Sequence, residues 1–156
     1  MSFVLDLLEL HIEQGTGYPF AAAVFDGEHR LISIGVNYSS ALFNSTAHAE
    51  LLALQFAQAA IKRPYLPKKG EYSLVTSAQP CVMCSGAIFL SGVREVVTAA
   101  LESDIQEIMG FGLGPLSSLW REDFVGKTIS VREGVDRERA RQLMRSYRSK
   151  FDTRRT

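Results

Sequence analysis

Cysteine, histidine and tryptophan are scarce in this chain of 156 residues, at two, three and one, and long apolar runs are missing altogether. No stretch approaches the ~20 apolar residues that a membrane-spanning helix needs. Met1-Ser2-Phe3-Val4-Leu5-Asp6 carries no basic leader, and Asp6 and Glu9 interrupt its apolar run, so no secretory signal is expected. There are no internal repeats and no low-complexity segments. Net charge is absent as well, since 17 Lys and Arg balance 17 Asp and Glu. That balance hides a polarity: residues 132–156 hold nine basic against four acidic side chains and leave the preceding body acidic. What is present, 46% hydrophobic and 22% charged residues, is ordinary for a globular protein, and the length suits one domain over 1–156 with a sizeable core.

Both cysteines are spent in one place. Pro80-Cys81-Val82-Met83-Cys84 follows His48-Ala49-Glu50, and together they offer two thiolates, one imidazole and one carboxylate. Three such ligands leave the fourth tetrahedral position of a zinc ion open, the layout of a catalytic rather than a closed structural site. Zinc lowers the pKa of a bound water from 15.7 towards roughly 7. Glu50, two residues from a ligand, can stay off the metal and carry protons to and from that water. Residues two apart do not share a face in mid-helix, so His48 and Glu50 are expected at the very start of a helix, with Ser45 and Thr46 as N-cap candidates. Cys81 and Cys84, three apart, share one face of a helical turn that Pro80 leads into, where the helix N-terminus favours the thiolate. Two helix starts are therefore expected to converge on one ion. A redox pair would want its proline between the cysteines, whereas Pro80 precedes them. A closed zinc site would need a fourth ligand. His11, expected on a solvent- or partner-facing side of the first helix, and His29, in a turn, show no paired spacing. Thiolates without a spare cysteine fit a reducing cytoplasm.

The periodicity predicts a helix over 3–12, with Phe3, Val4, Leu7, Leu8 and Ile12 on one stripe. Ala21–Phe25 and Leu31–Val36 flank the hairpin signal Asp26-Gly27-Glu28-His29. A loop over 37–46 leads to the helix opened by His48, running to about Ala60. Strands are expected at 72–76, 95–98 and 127–131, and helices at 81–90, 102–109 and 136–151. Pro64, Pro67 and Gly70 mark a long connection, and Gly110-Phe111-Gly112-Leu113-Gly114-Pro115 forces a loop. A hairpin followed by strands alternating with helices points to a three-layer α/β/α domain with a mixed sheet. The two metal-binding helices are each expected to follow an edge of it.

The H-x-E…P-C-x-x-C pattern marks zinc deaminases acting on nucleobases. The chain is similar over nearly its whole length to the cytidine deaminase-like superfamily. Gly17-Tyr18-Pro19-Phe20-Ala21-Ala22-Ala23-Val24 resembles the Pro-Phe-Gly-Ala strand of bacterial guanine deaminases, and Gly35-Val36-Asn37 their Gly-x-Asn base-binding turn. Cys84-Ser85-Gly86-Ala87-Ile88 continues as in those enzymes and in tRNA adenosine deaminases. Gly110–Pro115, with Trp120 shortly after, resembles a Gly-Phe-Asp-Glu-Gly-Pro…Trp segment of the guanine deaminase branch. The resemblance implies a mixed five-stranded sheet and one Zn2+ per chain on His48, Cys81 and Cys84, with Glu50 as proton shuttle. It further implies that Asn37 hydrogen-bonds the ring or its carbonyl, that Phe20 packs on the ring face, and that the Ala49 N–H faces the substrate's polar edge. Gln79, Phe89, Leu90, Phe111 and Leu113 would complete the substrate pocket. Three changes set the chain apart from the branch: Gly112-Leu113 replaces the Asp-Glu pair, Gln79 the Glu before Pro-Cys, and Leu90 a Trp. Neither Gly nor Leu can accept hydrogen bonds from guanine's N1–H and 2-amino group, so a different amino-heterocycle is expected.

The activity expected is that of a zinc-dependent aminohydrolase releasing ammonia from a purine, pyrimidine or triazine ring. A tRNA-specific adenosine deaminase is the alternative, suggested by Arg137, Arg139, Arg141, Arg145, Arg148, Lys150, Arg154 and Arg155. Positive charge at a helix C-terminus is favoured in any case, and Glu133, Asp136 and Glu138 dilute the patch, so tRNA is not expected as a partner. A non-catalytic zinc-binding relative would need no proton shuttle, and Glu50 is intact. The resemblance also implies a homodimer. The charge polarity suits an arm of residues 136–156 laid across an acidic partner, with exchange between chains.

Overall fold

The computed structural model describes residues 1–115 and 120–151. Five strands, β1 (Ala21–Phe25), β2 (Leu31–Val36), β3 (Ser73–Ala78), β4 (Glu95–Ala100) and β5 (Ser130–Arg132), form one sheet in the order β2-β1-β3-β4-β5. β1 is antiparallel to both β2 and β3, whereas β3, β4 and β5 run parallel. Among the described residues, six α-helices cover the sheet: α1 (Ser2–Gln14), α2 (Ala49–Ile61), α3 (Val82–Ser91), α4 (Glu102–Met109), α5 (Trp120–Gly126) and α6 (Arg137–Phe151).

The period-two alternation of the strands sorts these helices into two layers. Ala21, Ala23, Val75, Val97 and Ala99 face α1, α4 and α6 in one core. Their alternates Ala22, Val24, Leu74 and Val96 face α2, α3 and α5 in the other. β3 is buried along its whole length, as a central strand with both faces covered must be.

The expected three-layer sandwich with a mixed five-stranded sheet is the observed architecture, with local differences. β3 and β4 each run two residues further than predicted, because Ala78, Ala99 and Ala100 are small enough to continue the parallel ladder between two packed layers. β5 starts at Ser130 instead of Lys127. The preceding residues form a turn closed by bonds from the N–H groups of Lys127, Thr128 and Ile129 back to Phe124 and Val125. α5, with Trp120 edge-on to Phe124 at 5.5 Å, was not anticipated. α2 follows the edge strand β2, but α3 follows the central strand β3 and not an edge. The two helices can still meet, because β2 and β3 are each antiparallel to β1 and so end on the same side of the sheet.

The last helix lies on its own chain. Ala140 and Met144 are fully buried, and Leu143, Tyr147 and Phe151 pack on the same core. Its arginines meet acids of this chain. Arg137 grips Asp104 with two 2.7 Å bonds, Arg141 holds Asp104 and Glu107, and Arg139 reaches Asp6 at 2.7 Å and Glu9 at 3.1 Å. Arg154 and Arg155 lie outside the described residues.

Candidate metal centre and active site

β2 ends at Val36, and the Asn37 N–H extends the ladder by bonding the Phe20 carbonyl at 3.0 Å. The chain then loops through 38–47, closed by the Tyr38 N–H on the Ala47 carbonyl, and turns into α2. His48 is the N-cap of that helix, with extended backbone (φ −78°, ψ 153°), and Glu50 sits in its first turn. Ser45 and Thr46 do not cap it. Thr46 instead donates its N–H and hydroxyl to Asn44 Oδ1, in an Asx turn that ends before the helix begins.

Two glycines make this approach possible. A Cβ on Gly35 would stand 2.1 Å from the Ala49 carbonyl oxygen, and one on Gly17 would stand 1.9 Å from that of Asn37. The start of α2 therefore lies directly on β2, and the 15–18 turn directly on the end of that strand.

The second helix start is built the same way. Cys81 is the N-cap of α3, and the Ser85 N–H bonds its carbonyl at 2.8 Å. Cys84 lies one turn on and is fully buried. Cys81 Sγ, Cys84 Sγ and His48 Nδ1 are each 3.5 Å from the other two. A tetrahedral zinc with ligands about 2.0–2.3 Å away has edges of roughly 3.3–3.8 Å, so the three atoms fit that ion. They are the one such His/Cys/Asp/Glu cluster found among the described residues. The convergence of two helix starts, expected from spacing alone, is present.

Charge in the cluster is finely divided. The contact between the two sulfurs holds Cys81 down to about 4, and the same contact together with burial pushes Cys84 up. The hydrogen bond to Cys81 raises His48 against the opposing effect of burial. Glu50 is only 6% exposed, and that burial pushes its carboxyl up to about 7. Its Oε2 lies 3.5 Å from Cys84 Sγ, beside the metal position and not among the three ligands.

A cavity of about 310 Å³ opens over the cluster, lined by Phe20, Asn37, His48, Glu50, Gln79, Cys81, Phe111, Gly112 and Leu113. Phe20 and Phe111 meet edge to face across it at 6.4 Å. The 110–115 loop reaches the cavity because the Val82 N–H, at the start of α3, bonds the Leu113 carbonyl at 3.1 Å. Asn37, Phe20, Gln79, Phe111 and Leu113 are thus brought together with the cluster. Ala49 is fully buried at the first turn of α2, where an N–H has no carbonyl one turn back to bond.

Phe89 and Leu90 are not brought there. They lie two turns down α3 from its start, about 1.5 Å of rise per residue away from the metal end. Phe89 packs on Phe124 at 5.4 Å and Leu90 is 81% exposed; both line a separate cavity with Tyr65 and Lys127.

Other residues enter the site that sequence reasoning passed over. An outer chamber of about 420 Å³ shares Phe20, Asn37, His48 and Phe111 with the inner cavity and adds Tyr18, Ser39, Tyr147, Arg148 and Phe151. Tyr147 and Phe151 were legible only as an apolar stripe, the same signal a core-facing helix gives. His11 is also misread by pattern: it is 4% exposed, not solvent-facing. It bonds the Tyr18 carbonyl at 3.0 Å and the Thr16 hydroxyl at 2.8 Å, and burial lowers its pKa. It holds the turn that carries Tyr18 and Phe20 to the cavity. His29 lies in the predicted turn, at φ 59°.

Residues 1–100, spanning all four residues of the metal motif, match the cytidine and deoxycytidylate deaminase zinc-binding region, and the chain belongs to that family. Its fold is likewise that of solved relatives. The guanine deaminase from Nitrosomonas europaea is 40% identical, with a TM-score of 0.88 over 95% of this chain and 82% of that one. A structure in complex with 2,6-diaminopurine is 42% identical, with a TM-score of 0.90 over 95% of this chain and 79% of that one. Among curated proteins, the tRNA(Ile)-lysidine synthase of Deinococcus radiodurans is 31% identical over 127 residues, 81% of this chain but 20% of that protein. The tRNA-specific adenosine deaminase of Haemophilus influenzae is 27% identical over 132 residues, 83% of this chain and 70% of that protein.

Proposed function

We propose that this protein is a zinc-dependent aminohydrolase that replaces the amino group of a small heterocycle by oxygen and releases ammonia. The observation that carries this reading is the buried Glu50 carboxylate, set beside the three metal ligands but not one of them. A zinc ion on His48, Cys81 and Cys84 would supply a water acidic enough to react near neutral pH. Everything else falls to the chain. Glu50 takes a proton from the water, delivers it to the ring nitrogen beside the amino carbon, and then serves the departing amine. Phe20 and Phe111 hold the ring and shed water from it. Asn37 and the first N–H groups of α2 meet its polar edge.

The guanine deaminase likeness favours a free base or similar small ring. The tRNA-specific deaminases are the alternative, but a tRNA-binding surface on α6 would have to use arginines already committed to Asp104, Glu107, Asp6 and Glu9. No described helix is long and apolar enough to cross a membrane. The thiolate ligands, which a reducing compartment preserves, support a cytoplasmic enzyme. A homodimer belongs to the same proposal.

The test is ammonia release from free bases, nucleosides and a tRNA anticodon stem. Glu50→Gln should retain zinc and fold yet lose roughly 10²–10⁴-fold in turnover. Activity of that variant within tenfold of wild type would assign the proton transfer to another residue.

A further inference from the structure

The inner cavity holds two side-chain amides whose orientation is fixed by backbone donors. Asn37 Oδ1 accepts from the Ser39 N–H at 3.1 Å and from the Ser39 hydroxyl at 2.7 Å. Gln79 Oε1 accepts from the Glu102 N–H at 3.1 Å, where α4 begins. A backbone N–H can only donate, so the oxygen of each amide must face it. The polar end each amide has left is its NH2 group, and both residues line the cavity. Among the other described side chains of that lining, Phe20, Phe111 and Leu113 accept nothing, and His48 and Cys81 belong to the metal. Glu50, already assigned to proton transfer, is the one remaining acceptor. Glu102 Oε1 lies only 3.9 Å from where a Cβ on Gly112 would be, but it accepts from Gln106 Nε2 at 3.4 Å and is not part of the lining.

We propose that Gln79 determines specificity by presenting a donor, so that the pocket selects amino-heterocycles whose edge carries lone pairs, carbonyl oxygens or unprotonated ring nitrogens, over rings with an amide-type N–H there. The proposal rests on the deaminase reading above. A ring N–H buried against two NH2 groups and Leu113 loses its water partner and gains none. Such a group costs roughly ten- to a hundredfold in discrimination. Guanine, protonated at N1, is the disfavoured kind, and 2-aminopurine, with a lone pair at N1, the favoured kind.

The experiment compares kcat/KM for 2-aminopurine and guanine in the zinc-loaded wild type and in Gln79→Glu. That substitution keeps an oxygen for the Glu102 N–H, preserving the start of α4, and turns only the cavity-facing group into an acceptor. The wild type should favour 2-aminopurine at least tenfold, and Gln79→Glu should shrink or invert that ratio by tenfold or more. A purely structural role for Gln79 would lower both values and leave their ratio in place. Asn37→Asp makes the same exchange at the other amide while keeping an oxygen for Ser39, and should move the ratio the same way if Gln79→Glu does not fold. A wild type that prefers guanine, turns over neither ring, or keeps its ratio in the folded variant overturns the proposal. Ammonia release from any other amino-heterocycle would leave the deaminase reading standing in that event. A zinc-loaded chain inert across the whole panel would remove that reading too.

Discussion

At the scale of single residues, position within a helix turn decides what each group of the centre can do. His48 and Cys81 are N-caps, so their side chains leave the backbone where the helix has not yet closed around them. Cys84, one turn later, completes the triangle. Cys81→Ala or Cys84→Ala is expected to lose the metal and to lower the unfolding midpoint, because ligation is coupled to folding. One zinc per chain in both variants, by metal analysis, would contradict the ligand assignment. Gly35 is the residue of closest approach in the scaffold. Gly35→Ala should push α2 off β2 and cost several-fold in turnover, with zinc content as the control that separates a displaced Glu50 from a lost metal. The metal motif and Glu50 were legible in sequence because ligand chemistry restricts residue type and spacing together. His11 was not, because one histidine on an amphipathic helix reads alike whether it faces water or a neighbouring turn.

At the scale of elements, patterns failed where the signal was short or was borrowed. α5 has seven residues, barely two turns, and its Trp120 and Phe124 pair does not distinguish a helix from a loop anchored by aromatics. Phe89 and Leu90 were placed in the pocket by resemblance, and the rise of α3 carries them away from it. The long periodic elements α1, α2 and α6 and the β1–β2 hairpin appear within a residue or two of expectation, since burial of one face enforces their period. The docking of α6 on α4 offers a test by pH. Burial alone would raise the Asp104 carboxyl, but bonds from Arg137, the Leu101 N–H and Arg141 outweigh it and hold the group down at about 2. A carboxyl whose folded pKa is depressed contributes stability above its ordinary pKa of 3.8 and loses it as pH falls towards 2. Asp104→Asn should therefore cost about 2 kcal/mol at pH 7 and progressively less below pH 4, measured by denaturant midpoints at both values. An equal loss at pH 7 and pH 2 would show that charge is not what Asp104 contributes.

At the scale of the whole molecule, the charge polarity of the chain was visible in sequence, but its use was not. A basic tail and an acidic body can neutralise each other within a chain or between two chains, and composition is the same either way. The structure pairs α6 with its own body. Removing everything from Asp136 would therefore strip Ala140 and Met144 out of a core and unfold the domain. The informative truncation ends at Phe151. If residues 152–156 close the site of a neighbouring chain, that variant should keep its melting temperature while its dimer weakens and its KM rises. An unchanged sedimentation profile and KM would confine the tail to solvent.

The strand order also sets a timetable for synthesis. β1 gains β2 almost at once through the hairpin, but its other neighbour, β3, arrives about fifty residues later, an interval of some seconds at ribosomal speeds of about 5–20 residues per second. During that interval Ala21–Phe25 is a bare, uncharged strand edge, the kind of surface on which nascent chains pair wrongly. A fragment ending at Ile61 should accordingly self-associate in sedimentation, and one extended through the sheet should not. Self-association of the shorter fragment alone would make misfolding of this protein a hazard of elongation rate, greatest where translation stalls between the hairpin and the central strand.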